Sequence, residues 1–326
     1  MKSRRFILTA AAVYPALLAH KAWGQADWPV RPIQMVIPFT PGGPTDVTGR
    51  VLADKLGQEL KQSVVVVNKA GAAGNIGAEF AAHSKPDGYT IFFTTGGTQC
   101  INPFLYEKPG YDPEKDFEPV VWVTNSPNIL TVNPSFPART VAELIQIAKE
   151  QPGKLNSATP GAGSTPYMFG ELFKRSAGIQ IQNVTYKGSG PALVDVVGGH
   201  VPIMFDGIPS SLPLVQAGKL RALAVTGLQR SAAVPDIPTM AETIPGFDAS
   251  GWFAVYVPTG TPKSIVIRLN EAINRVLQQP EVRNRYAQLG ADVVGGSPEK
   301  LREQVQKELA KWSDLIKQTG MKADAE

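Results

Sequence analysis

The chain has 326 residues, 43% of them apolar, enough for two buried cores and too many for an intrinsically disordered protein. Its 31 glycines and 28 prolines follow no G-x-y period, so they imply frequent tight turns and exclude collagen, while one cysteine excludes a disulfide framework or a cysteine-rich metal site. The formal charge of +4 traces to Lys2, Arg4, Arg5 and Lys21; without them 28 bases balance 28 acids, and the electrostatic case for nucleic-acid binding disappears.

Residues 1–26 read as an export signal. Lys2, Arg4 and Arg5 form a positive start, residues 6–18 an apolar run, and Ala22, Gly24 and Ala26 offer small residues for cleavage, expected after Ala26 or, alternatively, after Gly24. The run falls short of the roughly 20 residues that span a bilayer, and no later segment reaches about 18 uninterrupted apolar residues. Ser3-Arg4-Arg5 is an incomplete twin-arginine pattern, so the export route stays open. The mature protein is therefore expected in the periplasm, its signal cleaved.

The mature chain alternates short apolar runs with helical stretches. Residues 33–39 read as a strand, followed by Thr40-Pro41-Gly42-Gly43-Pro44-Thr45-Asp46 and a helix to about 60. Residues 64–67 carry no polar interruption and read as a buried parallel strand covered on both faces. Gly71-Ala72-Ala73-Gly74-Asn75 leads into a helix to about 82, and residues 89–94 form a third strand. A long β-rich stretch, 117–132, opens a second unit. Thr140, with Glu143 three residues on, signals a capping box for a helix over 140–150. A strand at 155–158, a loop at 159–165 and a helix from Pro166 to about 176 follow. Strands are then expected at 181–186, 201–205, 220–226 and 252–257. Lys187-Gly188-Ser189-Gly190 precedes Pro191 at a helical start. Helices at 263–277, 280–289 and 298–318 close the chain. This order is that of an α/β protein, and no repeat or flexible linker divides it.

In four places a strand runs into a loop of small or hydroxyl residues that begins a helix, and two of these suit a ligand: 41–46 and 159–165. A helix N-terminus leaves N–H groups unpaired and carries about half a positive charge; glycine lets that backbone approach a ligand, and hydroxyls add donors. One such loop in each unit would put two anion-accepting corners across a cleft. Each residue also has a plain structural role. Asp46 can simply cap its helix, Asp206 can be a hydrogen-bonded turn aspartate, and Phe39 can be core or can cover a ligand.

Enzyme signatures are missing. Gly71-Ala72-Ala73-Gly74-Asn75-Ile76-Gly77 is not the dinucleotide fingerprint, no phosphate-binding P-loop occurs, and Ser164 lacks the flanking glycines of a nucleophile elbow. His83 and His200 stand in unrelated contexts, and Cys100 reads as an inert, half-buried thiol. No cofactor, no metal and no catalytic residue are expected.

Ordered blocks along the chain carry a resemblance: Pro38-Phe39-Thr40-Pro41-Gly42-Gly43 with Asp46 and Arg50, Asn68 with 71–77, Pro86-Asp87-Gly88-Tyr89-Thr90, and Pro152-Gly153-Lys154-Leu155-Asn156. Tyr186-Lys187-Gly188-Ser189-Gly190-Pro191-Ala192, the run 218–225 and Pro258-Thr259-Gly260-Thr261-Pro262 continue it. From about Trp28 onward the chain resembles the substrate-binding proteins of tripartite tricarboxylate transporters, the Bug family of periplasmic solute receptors. That resemblance implies a two-lobed type II periplasmic binding protein-like fold, each lobe a doubly wound, mostly parallel sheet, with the ligand cleft between the lobes. Lobe 1 is expected over 27–124 plus 250–326 and lobe 2 over 125–249. The resemblance further implies that a small carboxylate (a di- or tricarboxylate, acidic amino acid or aromatic acid) is held by backbone amides, hydroxyls and water rather than by an arginine clamp. The expected ligand-binding residues are Phe39, Pro41, Gly42, Gly43, Thr45, Asp46, Thr95, Gly96, Thr98, Thr159, Gly161, Gly163, Ser164, Thr165 and Asp206. Tyr167 departs from the family, which often has histidine there, and Asn68-Lys69 replaces a commoner Asn-Arg pair. The implied partners are the ligand and the membrane components of the transporter, with the receptor itself a monomer. A sensor acting through a membrane signalling protein and a periplasmic enzyme on the same fold are the rival readings.

Overall fold

The computed structural model describes residues 28–319 and 321–322, and the expected signal, 1–26, lies outside the described residues. The strands are β1 (Ile33–Ile37), β2 (Val64–Asn68), β3 (Thr90–Thr95), β4 (Phe117–Val132), β5 (Asn156–Thr159), β6 (Gln182–Thr185), β7 (Ile203–Gly207), β8 (Arg221–Val225), β9 (Ser250–Pro258) and β10 (Asp292–Val293). The helices are α1 (Pro44–Leu60), α2 (Asn75–Ala82), α3 (Asn102–Leu105), α4 (Val141–Glu150), α5 (Thr165–Ala177), α6 (Ser189–Val197), α7 (Ile208–Gln216), α8 (Lys263–Gln278), α9 (Pro280–Gln288) and α10 (Pro298–Thr319).

One ten-stranded sheet runs in the order β2-β1-β3-β9-β4-β7-β5-β6, with β8 and β10 also paired to β4. Parallel pairing is confined to the outer strands, β1 with β2 and β3 and β5 with β6 and β7. The middle is antiparallel, so the sheet is mixed rather than mostly parallel. The cause is β4, which runs through both halves. Its residues Phe117–Pro127 pair with β9, and Asn128–Val132 pair with β7 and β8. The chain returns along residues 226–249 and enters β9.

Most expected elements form, with ends shifted by a few residues. β2 is a correction: it is the sheet edge, and Val65 is half exposed rather than covered on both faces. A continuous apolar run does not distinguish an edge strand from a central one. Helix α7 carries Pro209 in its first turn and Pro213 inside, and these prolines masked it in the sequence. At α4, Thr140 Oγ1 accepts the Glu143 N–H (3.1 Å), while the Glu143 carboxylate reaches one residue further back, to the Arg139 N–H (2.6 Å).

In the first half, alternate residues of β1, β3 and β9 send Ile33, Met35, Phe93, Phe253 and Val255 against α1, α8 and α9. The opposite faces of these strands join a second core that reaches into the other half through α10. There Trp312 stacks on Phe169 of α5, ring centroids 6.4 Å apart.

Candidate ligand-binding site

Between the two halves lies a cavity of about 40 Å³. A single water needs about 10–15 Å³, so the space is small and closely walled. Its walls are built from the starts of four helices. Pro44 and Thr45 open α1, Thr165 and Pro166 open α5, Ser189 opens α6, and Gly207 immediately precedes α7. Four positive dipole ends therefore meet at one point, and among the described residues no lysine, arginine or histidine lines the space.

The side chains there are short of partners. Among the described residues, Thr95 Oγ1, Ser126 Oγ, Asn128 Nδ2, Thr165 Oγ1 and Trp252 Nε1 are buried without a hydrogen-bond partner, and all five residues line the cavity. An orphaned buried polar group costs about 1–3 kcal/mol. Five around one space make this cavity the candidate ligand site. Phe39 and Phe253 supply apolar wall.

Each wall is positioned by local structure. The 40–43 loop is fixed by Asp46, whose carboxylate accepts the Gly42 N–H (3.0 Å), Arg50 Nε (2.9 Å) and Asn68 Nδ2 (2.9 Å). Burial alone would raise the Asp46 pKa, but these hydrogen bonds outweigh it and hold the carboxyl below its ordinary value. Ser164 caps α5, accepting the Tyr167 N–H (3.4 Å) while its hydroxyl donates to Gly161 O (2.7 Å). Behind the cavity Asp206 is fully buried and accepts hydroxyls from Ser189 (2.6 Å), Ser210 and Ser211 (3.2 Å). Desolvation raises its pKa, with those serines and the Gly207 N–H pulling the other way. Trp252 lies on the backbone of Gly96, where a Cβ would sit 2.7 Å from the indole nitrogen.

Of the residues expected to touch ligand, Phe39, Thr45, Thr95, Ser164 and Thr165 line the cavity. The others do not. Pro41 and Gly42 face outward, and Gly43 packs against Ser189. Both oxygens of Asp46 are engaged in holding its loop, and it does not cap α1 as expected: Gly43 is the N-cap and no side chain caps it. Thr98 braces the turn after β3 by donating to Thr95 O (2.9 Å). Gly96 makes room for Trp252, and Gly161 and Gly163 for Ala73 and Asn102 of the first half. Thr159 is buried beside the cavity rather than on its wall, and Asp206 stands behind Ser189.

Sequence reasoning missed Ser126, Asn128, Ser189, Gly207, Gly251 and Trp252. Ser189 had a signal, the glycine-flanked helix start at 188–190. Ser126 and Asn128 had none, because they sit inside a strand and reach the cavity only where β4 passes from one half to the other. Cys100 is fully buried rather than half buried, and burial pushes its thiol pKa up. Among the described residues no group of three or more His, Cys, Asp or Glu could hold a metal ion.

Comparison with known proteins fits this geometry. Residues 48–321 match the model of the tripartite tricarboxylate transporter family receptor. Protein BugT of Bordetella pertussis is 39% identical over 320 residues, covering 97% of this chain and 96% of BugT. An R. palustris protein solved with adipate superposes with a TM-score of 0.88 at 39% identity, covering 90% of this chain and 99% of that one. MatC from Rhodopseudomonas palustris, solved with bound malate, gives 0.84 at 35% identity, covering 89% of this chain and all of MatC. With a family match across most of its length and relatives of matching length at 35–39% identity, the chain belongs to the receptor family of the tripartite tricarboxylate transporters.

Proposed function

We propose that this protein is a periplasmic solute receptor that closes on a small carboxylate and delivers it to the membrane components of a tripartite transporter. The observation that carries the reading is the meeting of four helix starts and five unpartnered polar side chains around one cavity without a cation. Oriented N–H and O–H donors are the chemistry that holds a carboxylate in place of water. Ser189 on the wall does donate to the Asp206 carboxylate, but the described lining holds no histidine or lysine to serve as a general base, and capture is the reading favoured over turnover. The adipate and malate bound by the two R. palustris relatives are acids of the same class. The narrow space favours a short aliphatic diacid over a tricarboxylate or an aromatic ring.

In this reading residues 27–124 with 250–326 and residues 125–249 move as two lobes, with β4 and the 226–249 return as the crossings. The direct ligand contacts are Thr45, Thr95, Ser126, Asn128, Ser164, Thr165, Ser189 and Trp252. Calorimetry against aliphatic diacids, a tricarboxylate and aromatic acids tests it. A four- to six-carbon diacid is expected to bind most tightly, and folded protein that binds none of the panel refutes the reading. Asn128→Ala removes a donor to an anion, an interaction worth about 1.5–3 kcal/mol, and should weaken binding roughly ten- to hundredfold.

A further inference from the structure

A second chamber, lined differently, lies in the first half. The turn after β3, residues Gly97–Ile101, is π-helical and carries Gln99; such turns recur at functional sites. Gln99 is fully buried and Tyr256, on β9, nearly so, and both line a pocket of about 260 Å³ roofed by α10. That is far more than one water requires. The Gln99 amide nitrogen, the Gln99 amide oxygen and the Tyr256 hydroxyl all lack a hydrogen-bond partner among the described residues. Phe117 and Val305 provide apolar wall.

The charged groups of this pocket are already paired at its mouth. Arg302 donates to Glu118 (3.1 Å) and Gln306 to Glu114 (2.8 Å). The buried groups are a neutral amide and a phenol kept protonated by desolvation. An ion placed there would find no buried counter-charge, at a cost of several kcal/mol. A neutral molecule with a donor and an acceptor on neighbouring atoms would satisfy all three orphaned groups while its carbon skeleton meets the apolar wall.

We infer that this chamber is a second binding site, separate from the cleft, for a small uncharged amide or polyhydroxy compound seated on Gln99 and Tyr256. The test uses acetamide and glycerol as probes, one for each chemistry, on the full mature protein without a cleft ligand. The Gln99 side-chain amide resonance, assigned by its loss in Gln99→Met, is expected to shift saturably with at least one probe. Crystals soaked with that probe should show it against both side chains. Tyr256→Phe, which removes one oxygen and leaves the packing intact, should weaken that titration roughly three- to tenfold. Absence of a saturable shift with either probe, an undiminished titration in Tyr256→Phe, or soaked crystals with only water in the chamber would each overturn the inference.

Discussion

Gly207 shows how finely the cleft is fitted. A Cβ built there would stand 2.4 Å from Pro44 Cβ, on the opposite wall, with backbone φ in the ordinary extended range. Gly207→Ala therefore strains no backbone locally but wedges the two walls apart. Calorimetry of the variant should show ligand affinity down at least tenfold, with the melting temperature little changed. The two buried aspartates respond to pH in opposite senses. Folding depresses the Asp46 pKa, so its contribution is present above the unfolded carboxyl value of about 3.9 and is lost as pH falls through the lower folded value. Folding raises that of Asp206, so its contribution is full below about 3.9 and is lost as pH rises through the folded value. Asp206→Asn removes only the second effect. Thermal melts of parent and variant should show the variant gaining on the parent as pH rises from about 4 to about 7. A difference that stays constant over that range would show Asp206 to be no more strongly protonated in the folded state.

At the scale of elements, the halves are held together by contacts between helix starts and loops. Tyr106, just after α3, donates its hydroxyl to Ala162 O in the loop before α5 (2.6 Å). Gly188, at φ +119, leaves room for Thr40, whose Oγ1 would be 2.4 Å from a Cβ there. On the proposed hinge closure, these contacts favour the closed arrangement. Tyr106→Phe should weaken binding roughly three- to tenfold, the worth of one hydrogen bond, chiefly through faster ligand release seen in stopped-flow. Unchanged release would show that the bond does not report on closure. The Gly-rich loops 41–46 and 159–165 were legible as helix starts, since glycine, proline and hydroxyl residues mark such starts locally, and both contribute residues to the cavity wall. Their individual glycines were not legible: most leave room for the opposite half instead of meeting solute, and a chain read in one dimension does not show what faces it.

At the scale of the whole molecule, α10 joins the two halves by seating Trp312 in the shared core against Phe169. The side chain is 2% exposed, so Trp312→Ala should cost about 3–5 kcal/mol in a denaturant unfolding experiment. Because the core runs across both halves, that loss should appear in a single cooperative transition rather than in one half alone. Two separate transitions, only one of them shifted, would show that each half folds by itself.

The α/β class, most of the elements, two of the helix starts that line the cavity and the family could be read from the chain alone, because these depend on composition, local turn chemistry and ordered motifs. The tertiary structure decided that β4 serves both halves, that the central strands run antiparallel, and that Ser126, Asn128, Ser189 and Trp252 meet across one cavity. It also decided that Asp46 and Asp206 support the walls from behind. The physical reason is that burial and hydrogen-bond partnership arise between residues far apart in the chain, and no local pattern encodes which buried donor is left without a partner.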